Sequence, residues 1–215
     1  MIFPFKTSGL LRKIFPNFIW KIDTDQLILY LTFDDGPIPG ITEWVLEVLE
    51  EYKVPATFFC VGDNIRKHPE VFKKILEKGH RVGNHTFNHL SGWKTDTVVY
   101  GENIAKCQQL MNSFDAFREQ EKGKVPLFRP PYGRIKKSQA VPLRNSHQVI
   151  MWDVLSGDFA KNISAEKCLE KTAQYSTKGS IVVFHDSIKT EKKLREVLPS
   201  FLSAMLEQGF IFQLL

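Results

Sequence analysis

The chain has 215 residues, 43% of them hydrophobic and 25% charged, with a net charge of +5 and three cysteines. That length makes one domain able to bury about 70% of its unfolded surface without disulfide staples. Cys60, Cys107 and Cys168 are odd in number and lack the spacing of a zinc ribbon, so they read as reduced core thiols. The basic residues are interspersed with Glu and Asp, and no basic stripe carries interleaved aromatics, which argues against a nucleic-acid partner. No apolar run is long enough to span a bilayer.

At the N-terminus, Met1 to Phe5 and Phe18 to Trp20 are short apolar pieces interrupted by Lys6, Arg12 and Lys13. No signal-peptide pattern is read there, so the expected location is the cytoplasm or the cytoplasmic membrane surface. Leu10, Leu11, Ile14, Phe15 and Phe18 fall at helical spacing opposite Arg12 and Lys13, and Pro16 limits that helix. Residues 1–22 are therefore expected to form an N-terminal amphipathic segment that caps the domain. Peripheral association with an anionic membrane is the alternative. The oligomeric state is not legible.

Seven short apolar runs predict strands over 27–33, 56–61, 80–84, 126–129, 148–152, 180–184 and 210–214. Helical faces lie between most of them. Trp44, Val45, Val48, Leu49 and Tyr52 make one; Val71, Phe72, Ile75 and Leu76 make the next, with Pro69 near its start and Gly79 past its end. A third runs through Ile104, Cys107, Met111 and Phe114, and the strongest through Leu194, Val197, Leu198, Phe201, Leu202, Met205 and Leu206, closed by Gly209. Residues 118–124 read as a polar loop, and 136–146 carry no clear period. Alternating strands and helices predict a parallel sheet and a single α/β domain over 23–215. Polar residues cluster where strands end: Asp34 and Asp35 after the first, His85 after the third, Arg129 at the fourth, Asp153 after the fifth and His185 after the sixth. In a barrel those ends surround one mouth, so a (β/α) barrel is expected rather than an open sheet.

Thr32-Phe33-Asp34-Asp35-Gly36-Pro37 sets two adjacent carboxylates at the end of a buried strand, where an unpaired charge costs several kcal/mol or more. They call for a cation. His85 and His89, four apart, are expected on one face of a helical turn and, with one carboxylate of the pair, would make three metal ligands and leave a position open for water or substrate. The spacing is that of a zinc-protease motif, but Thr86 stands where the glutamate base would be, so the spare aspartate is the candidate base. Zinc is the expected metal, and cobalt, nickel or iron would also fit. Arg129-Pro130-Pro131-Tyr132-Gly133 holds a permanent cation and a rigid turn whose Tyr132 N–H can meet an oxyanion. His185 ends an apolar strand as a side chain suited to carrying a proton.

Thr32 to Pro37, His85 to His89, Arg129 to Gly133, Trp152 to Phe159 and Phe184-His185-Asp186, in this order, resemble the five motifs of the polysaccharide deacetylases. The resemblance implies an irregular, seven-stranded (β/α) barrel that hydrolyses acetyl groups on N-acetylated sugars of a peptidoglycan- or chitin-like glycan. It makes Asp34 the general base, Asp35, His85 and His89 the metal ligands, Arg129 the partner of Asp34, the Tyr132 N–H an oxyanion donor and His185 the general acid. The fourth motif departs from the family: Leu155 occupies the place of its first aspartate, and Phe159 replaces the tryptophan that lines the acetyl pocket in relatives. Asp158 is expected to orient His185, with Asp153 in reserve. O-acetyl xylan and a non-carbohydrate amide are alternative substrates, and a silent carbohydrate-binding barrel is a third reading. Trp93 is a candidate stacking surface for sugar, set against ordinary packing.

Overall fold

A computed structural model describes residues 3–215; Met1 and Ile2, part of the expected N-terminal segment, lie outside the described residues. The central strand β1 (Ile28–Asp34) is buried along its whole length, as a parallel strand covered on both faces must be. It is flanked by β2 (Thr57–Cys60), β3 (Arg81–Asn84), β4 (Leu127–Phe128) and β5 (Gln148–Val149) on one side. On the other lie β7 (Ile181–His185) and then β6 (Val154–Leu155), and every pairing is parallel.

The sheet curls because its two outermost strands, β5 and β6, belong to one stretch of chain. Residues 148–149 pair with β4, and 154–155 pair with β7 at the opposite edge. The fifth predicted strand is therefore two short ones. The seventh, observed as β8 (Ile211–Phe212), pairs only with the foot of β1 and stands outside the curl, so the sheet has eight strands with seven around the site.

Helices cover the outer face. They are α1 (Gly9–Ile14), α2 (Ile41–Glu51), α3 (Gly62–Lys67), α4 (Pro69–Glu77), α5 (Thr97–Asn112), α6 (Asp115–Glu121), α7 (Lys137–Leu143), α8 (Ala165–Tyr175) and α9 (Glu191–Glu207). Pro69 starts α4 at a position where its missing N–H is harmless. The Asp96 carboxylate caps α5 by accepting from the Val98 and Val99 N–H groups. The expected polar loop at 118–124 is largely α6, held because Phe117 is buried and Glu121 accepts two hydrogen bonds from buried Arg81 at 2.8 Å each. The aperiodic 136–146 contains α7, and α8 carried too weak an apolar stripe to be predicted. The three cysteines are free and buried. Among the described residues no helix is long and apolar enough to cross a membrane.

The N-terminal chain straps the seam of the curl. Ile19 pairs with Ile150, Lys6 pairs with Val154, and the Leu155 N–H donates to the Phe5 carbonyl at 2.9 Å. Phe18 packs into the core while Leu10 and Ile14, at 66% and 56% exposure, face outward, so only part of the expected apolar stripe is buried. The strap is anchored electrostatically. Fully buried Asp153 accepts from Lys6 Nζ at 2.7 Å, from Ser180 Oγ at 2.5 Å and from the Arg12 guanidinium.

Replacing Lys6 and Arg12 together by methionine strands that carboxylate without a counter-charge. The double variant is expected to lose about 3–5 kcal/mol of stability, read by thermal or urea denaturation. A variant as stable as the parent would show that the strap is not held this way.

Candidate active site

The inward face of the curl is set by the two-residue period of its strands. Asp34 is in register with Phe59 of β2 and His185 of β7, and Phe59 is in register with Gly83 of β3, so all four positions share one face. His85 lies two residues beyond Gly83, and Arg129 follows Phe128, which is in register with Asn84. Asp34, His85, Arg129 and His185 thus point inward at the carboxyl ends of four strands. Gly83 is needed there: a Cβ would come within 2.6 Å of the Phe59 ring.

Arg129 is fully buried and crosses this interior, its guanidinium carbon 4.0 Å from the Phe59 ring centroid. It donates from Nη1 to Asp34 Oδ1 at 2.6 Å and to Thr32 Oγ1 at 2.8 Å, and from Nη2 to the Met151 carbonyl at 3.0 Å. One oxygen of Asp34 is therefore neutralised, while Oδ2 faces His85 Nε2 at 4.0 Å.

Asp35 adopts φ 86°, a left-handed conformation that turns its side chain away from the strand and toward the histidines. Asn64 Nδ2 donates to its carbonyl at 2.7 Å, and the next N–H, of Gly36, donates to Asp186 Oδ1 at 3.1 Å. Asp186 also accepts from Thr42 Oγ1 at 2.5 Å, so it clamps the turn that carries both carboxylates. Gly36 is obligatory because a Cβ would fall 2.1 Å from Asp186 Oδ2. Burial and the Asp35 charge push the Asp186 carboxyl up to about 8. Sequence reasoning gave Asp186 no role; its place directly after His185 was the available signal.

His85 and His89 do not sit on a helical turn. Residues 85–90 form a loop with φ 62° at Thr86 and φ 55° at His89. Local side chains outcompete the helix: Asn84 Oδ1 accepts from the Thr86 N–H at 2.9 Å, and Asn103 Oδ1 accepts from the Phe87 and Asn88 N–H groups at 2.8 and 2.9 Å. The rings still meet, with centroids 5.1 Å apart. His89 Nε2 lies 3.1 Å and His85 Nε2 3.8 Å from Asp35 Oδ1, and the three donor atoms lie within 4.8 Å of one another.

The chemistry of this set suits a metal. His85 Nδ1 is 2.7 Å from the Arg129 carbonyl, which can only accept, so the proton sits on Nδ1 and the Nε2 lone pair faces the cluster. Burial is the chief cause that brings the His85 imidazole down to about 4, which keeps it neutral at pH 7. Burial opposes ionisation of Asp35, yet the hydrogen bond to His89 and the neighbouring imidazoles His185 and His85 hold its carboxyl well below the usual carboxylate range.

His185 has the opposite character. Its Nδ1 donates to Asp158 Oδ1 at 2.8 Å, and its backbone N–H donates to Asp158 Oδ2 at 2.7 Å. Burial disfavours the charge, but Asp158, with Asp35 and Asp34 behind it, raises the imidazole to about 9. Asp153, the reserve partner, is excluded by register. It lies beside Ile181, four residues below His185 on β7 or about 13 Å along the strand, and its oxygens are taken by Lys6, Arg12 and Ser180.

Asp34, Asp35, His85, His89 and His185 line one cavity of about 640 Å³ whose apolar wall includes Ile38, Tyr132, Trp152, Leu155, Phe159 and Ile188. Tyr132 is the second residue of a 3-10 turn, where the N–H has no partner within the turn, and its ring stands edge-on to His89 at 4.7 Å. Trp93 is 60% exposed and carries the Arg134 guanidinium over its ring at 5.2 Å.

Known proteins resemble this chain in sequence and in fold. The polysaccharide deacetylase family model matches residues 21–148. A peptidoglycan-N-acetylglucosamine deacetylase of Bacillus cereus is 31% identical over 198 residues, covering 90% of this chain and 88% of that protein. The peptidoglycan-N-acetylglucosamine deacetylase PgdA of Listeria monocytogenes is 34% identical over 193 residues, covering 89% of this chain but 38% of that longer protein. The crystal structure of the Bc1960 peptidoglycan N-acetylglucosamine deacetylase superimposes with a TM-score of 0.83 at 25% identity, covering 97% of this chain and 95% of that one. With a matching model over more than half its length and a full-length relative above 30% identity, the chain belongs to the polysaccharide deacetylase family.

Proposed function

We propose that the protein is a metal-dependent hydrolase that removes acetyl groups from N-acetylated hexosamines of a peptidoglycan- or chitin-type glycan. The observation that carries this reading is the convergence, in one cavity, of an arginine-paired carboxylate, an Asp/His/His cluster and a histidine held in its charged form. Relatives named peptidoglycan and chitooligosaccharide deacetylases support the substrate class.

Asp35, His85 and His89 would hold the metal, with zinc the first choice for a histidine and carboxylate set. When bound, it supplies Lewis-acid polarisation of the acyl oxygen and acidifies water. Asp34 accepts the proton of the attacking water at Oδ2, since Oδ1 is engaged by Arg129. The Tyr132 N–H donates to the oxygen on which negative charge develops. His185 gives its Nε2 proton to the amine nitrogen as the C–N bond breaks. An amine leaves poorly unless protonated, and a histidine held at about 9 carries that proton at pH 7. This favours amide over ester cleavage.

The direct test is acetate release from N-acetylglucosamine oligomers by protein stripped with chelator and reloaded with zinc or cobalt. Metal-dependent release is expected, and Asp34→Asn should lower kcat by at least roughly 100- to 10,000-fold while keeping metal. A fully active Asp34→Asn enzyme would remove the base assignment; release from acetylated xylan alone would make the protein an esterase.

Asp35→Ala should lose metal, measured as metal content after dialysis, and with it turnover. Unchanged metal content would overturn the ligand set.

The pH profile tests the acid. His185 must be protonated, so activity is present below its pKa and is lost as pH rises through it. Asp158→Asn removes the charge that raises that pKa and should move the alkaline limb to lower pH. An unmoved limb would assign it to another group.

A further inference from the structure

We propose that Phe3, in the N-terminal strap, determines acyl-group specificity by fixing the wall of the pocket beside His185; the proposal rests on the deacetylase reading above. The strap lies outside the segment matched by the family model, which begins at residue 21, yet its Phe3 packs against Phe159, a residue of the cavity wall. The Leu155 N–H donates to the Phe5 carbonyl and the Thr7 N–H to the Asp153 carbonyl, each at 2.9 Å, so the strap runs antiparallel along β6 and its aromatic rings are placed at the level of the site.

Phe3 and Phe5 meet edge-on at 4.7 Å and fill the space over Gly157, where a Cβ would come within 3.0 Å of the Phe3 ring. Gly157, at φ 76°, lets the chain turn under these rings and brings up Phe159. The Phe159 ring rests on Phe3 at 5.7 Å on one side and on the His185 imidazole at 5.0 Å and 74° on the other. Phe159 is 46% exposed and lines the cavity with Leu155 and Trp152. Half-exposed on its cavity side, the Phe159 ring has Phe3 against it on the side away from His185. Phe3 supplies the backing, and Lys6 and Arg12 pin the strap to Asp153.

Acyl chains differ at their methyl end. One added methylene in a tight apolar pocket is discriminated by roughly 10- to 200-fold. Removing Phe3 lets Phe159 withdraw into the vacated space and admits a longer acyl group. Phe3 acts through Phe159 and is a positioning residue.

The test compares kcat/KM on N-acetyl and N-propionyl glucosamine oligomers for the full chain, Phe3→Ala and Phe3→Leu, with the His185 ring-proton NMR resonances recorded for each. Phe3→Ala should lower the acetyl-over-propionyl ratio by about tenfold and shift the His185 resonances as the Phe159 ring current moves, and Phe3→Leu should restore most of the ratio. An equal loss on both substrates would mark Phe3 as merely structural and overturn the proposal. So would an unchanged ratio, or unmoved His185 resonances in folded Phe3→Ala. If the parent protein releases neither acid, the deacetylase reading itself falls and the specificity role with it; acetate release with an unmoved ratio removes the role of Phe3 alone.

Discussion

The ion pair between Asp34 and Arg129, sealed inside the curl of the sheet, is the constraint on which the rest of the site depends. Both side chains are buried, and removing either partner would leave a charge that typically costs about 3–5 kcal/mol. The guanidinium therefore needs acceptors for its remaining donors. It finds them in the Ile150 and Met151 carbonyls at 3.3 and 3.0 Å. Those carbonyls are available because residues 150–153 lie between β5 and β6, where the chain leaves one edge of the sheet and joins the other. A regular strand would have spent them on its ladder. The irregularity of the barrel and the burial of its arginine are one feature.

Backbone strain is concentrated at the same place. Asp35, Thr86, His89 and Tyr132 all have positive φ, a conformation that costs non-glycine residues about 1–3 kcal/mol each. At Asp35 and Thr86 neighbouring side chains hold the backbone in place. Asp186 and Asn64 fix the turn after Asp35, and Asn84 and Asn103 fix the loop from Thr86 to Asn88. The loop that carries both histidines is thus positioned by the protein's own side chains. Preorganisation of this kind spares the ordering entropy that binding would otherwise have to overcome.

Much of this was legible in the sequence, for identifiable reasons. Apolar runs that stop at polar residues gave the strand ends, and alternation with helices gave parallel pairing. The places where reading failed are those where a side chain competes with the backbone or a partner lies far along the chain. The spacing of His85 and His89 suggested a helical turn, but Asn84 and Asn103 impose a loop, and four-residue spacing does not distinguish the two. Asp153 and Asp158 both follow a predicted strand. Only the register of β6 against β7 separates the one that faces the strap from the one that faces His185. The helix over 115–121 was hidden because a single buried aromatic and one distant ion pair stabilise it. Asp186 was hidden because its partners, Gly36 and Thr42, lie some 150 and 144 positions away.

The two inward-facing histidines show how one residue type acquires two opposite proton affinities. Burial acts on both in the same direction, penalising the imidazolium. His85 yields to it and falls to about 4, because burial outweighs Asp34 and Asp35, whose nearest oxygens lie 4.0 and 3.8 Å from Nε2, and neighbouring His89 adds to the fall. His185 resists it and rises to about 9, because Asp158 gives one oxygen to the ring and the other to the backbone N–H, so the carboxylate is aimed and cannot rotate away. Two sites whose environments drive their proton affinities apart divide the labour between them: a neutral imidazole offers a lone pair, and a charged one offers a proton. Asp158 is the largest source of the difference. Its place is set by the turn through Gly157 that delivers it to the end of β7, on the side of the cavity where the N-terminal strap lies.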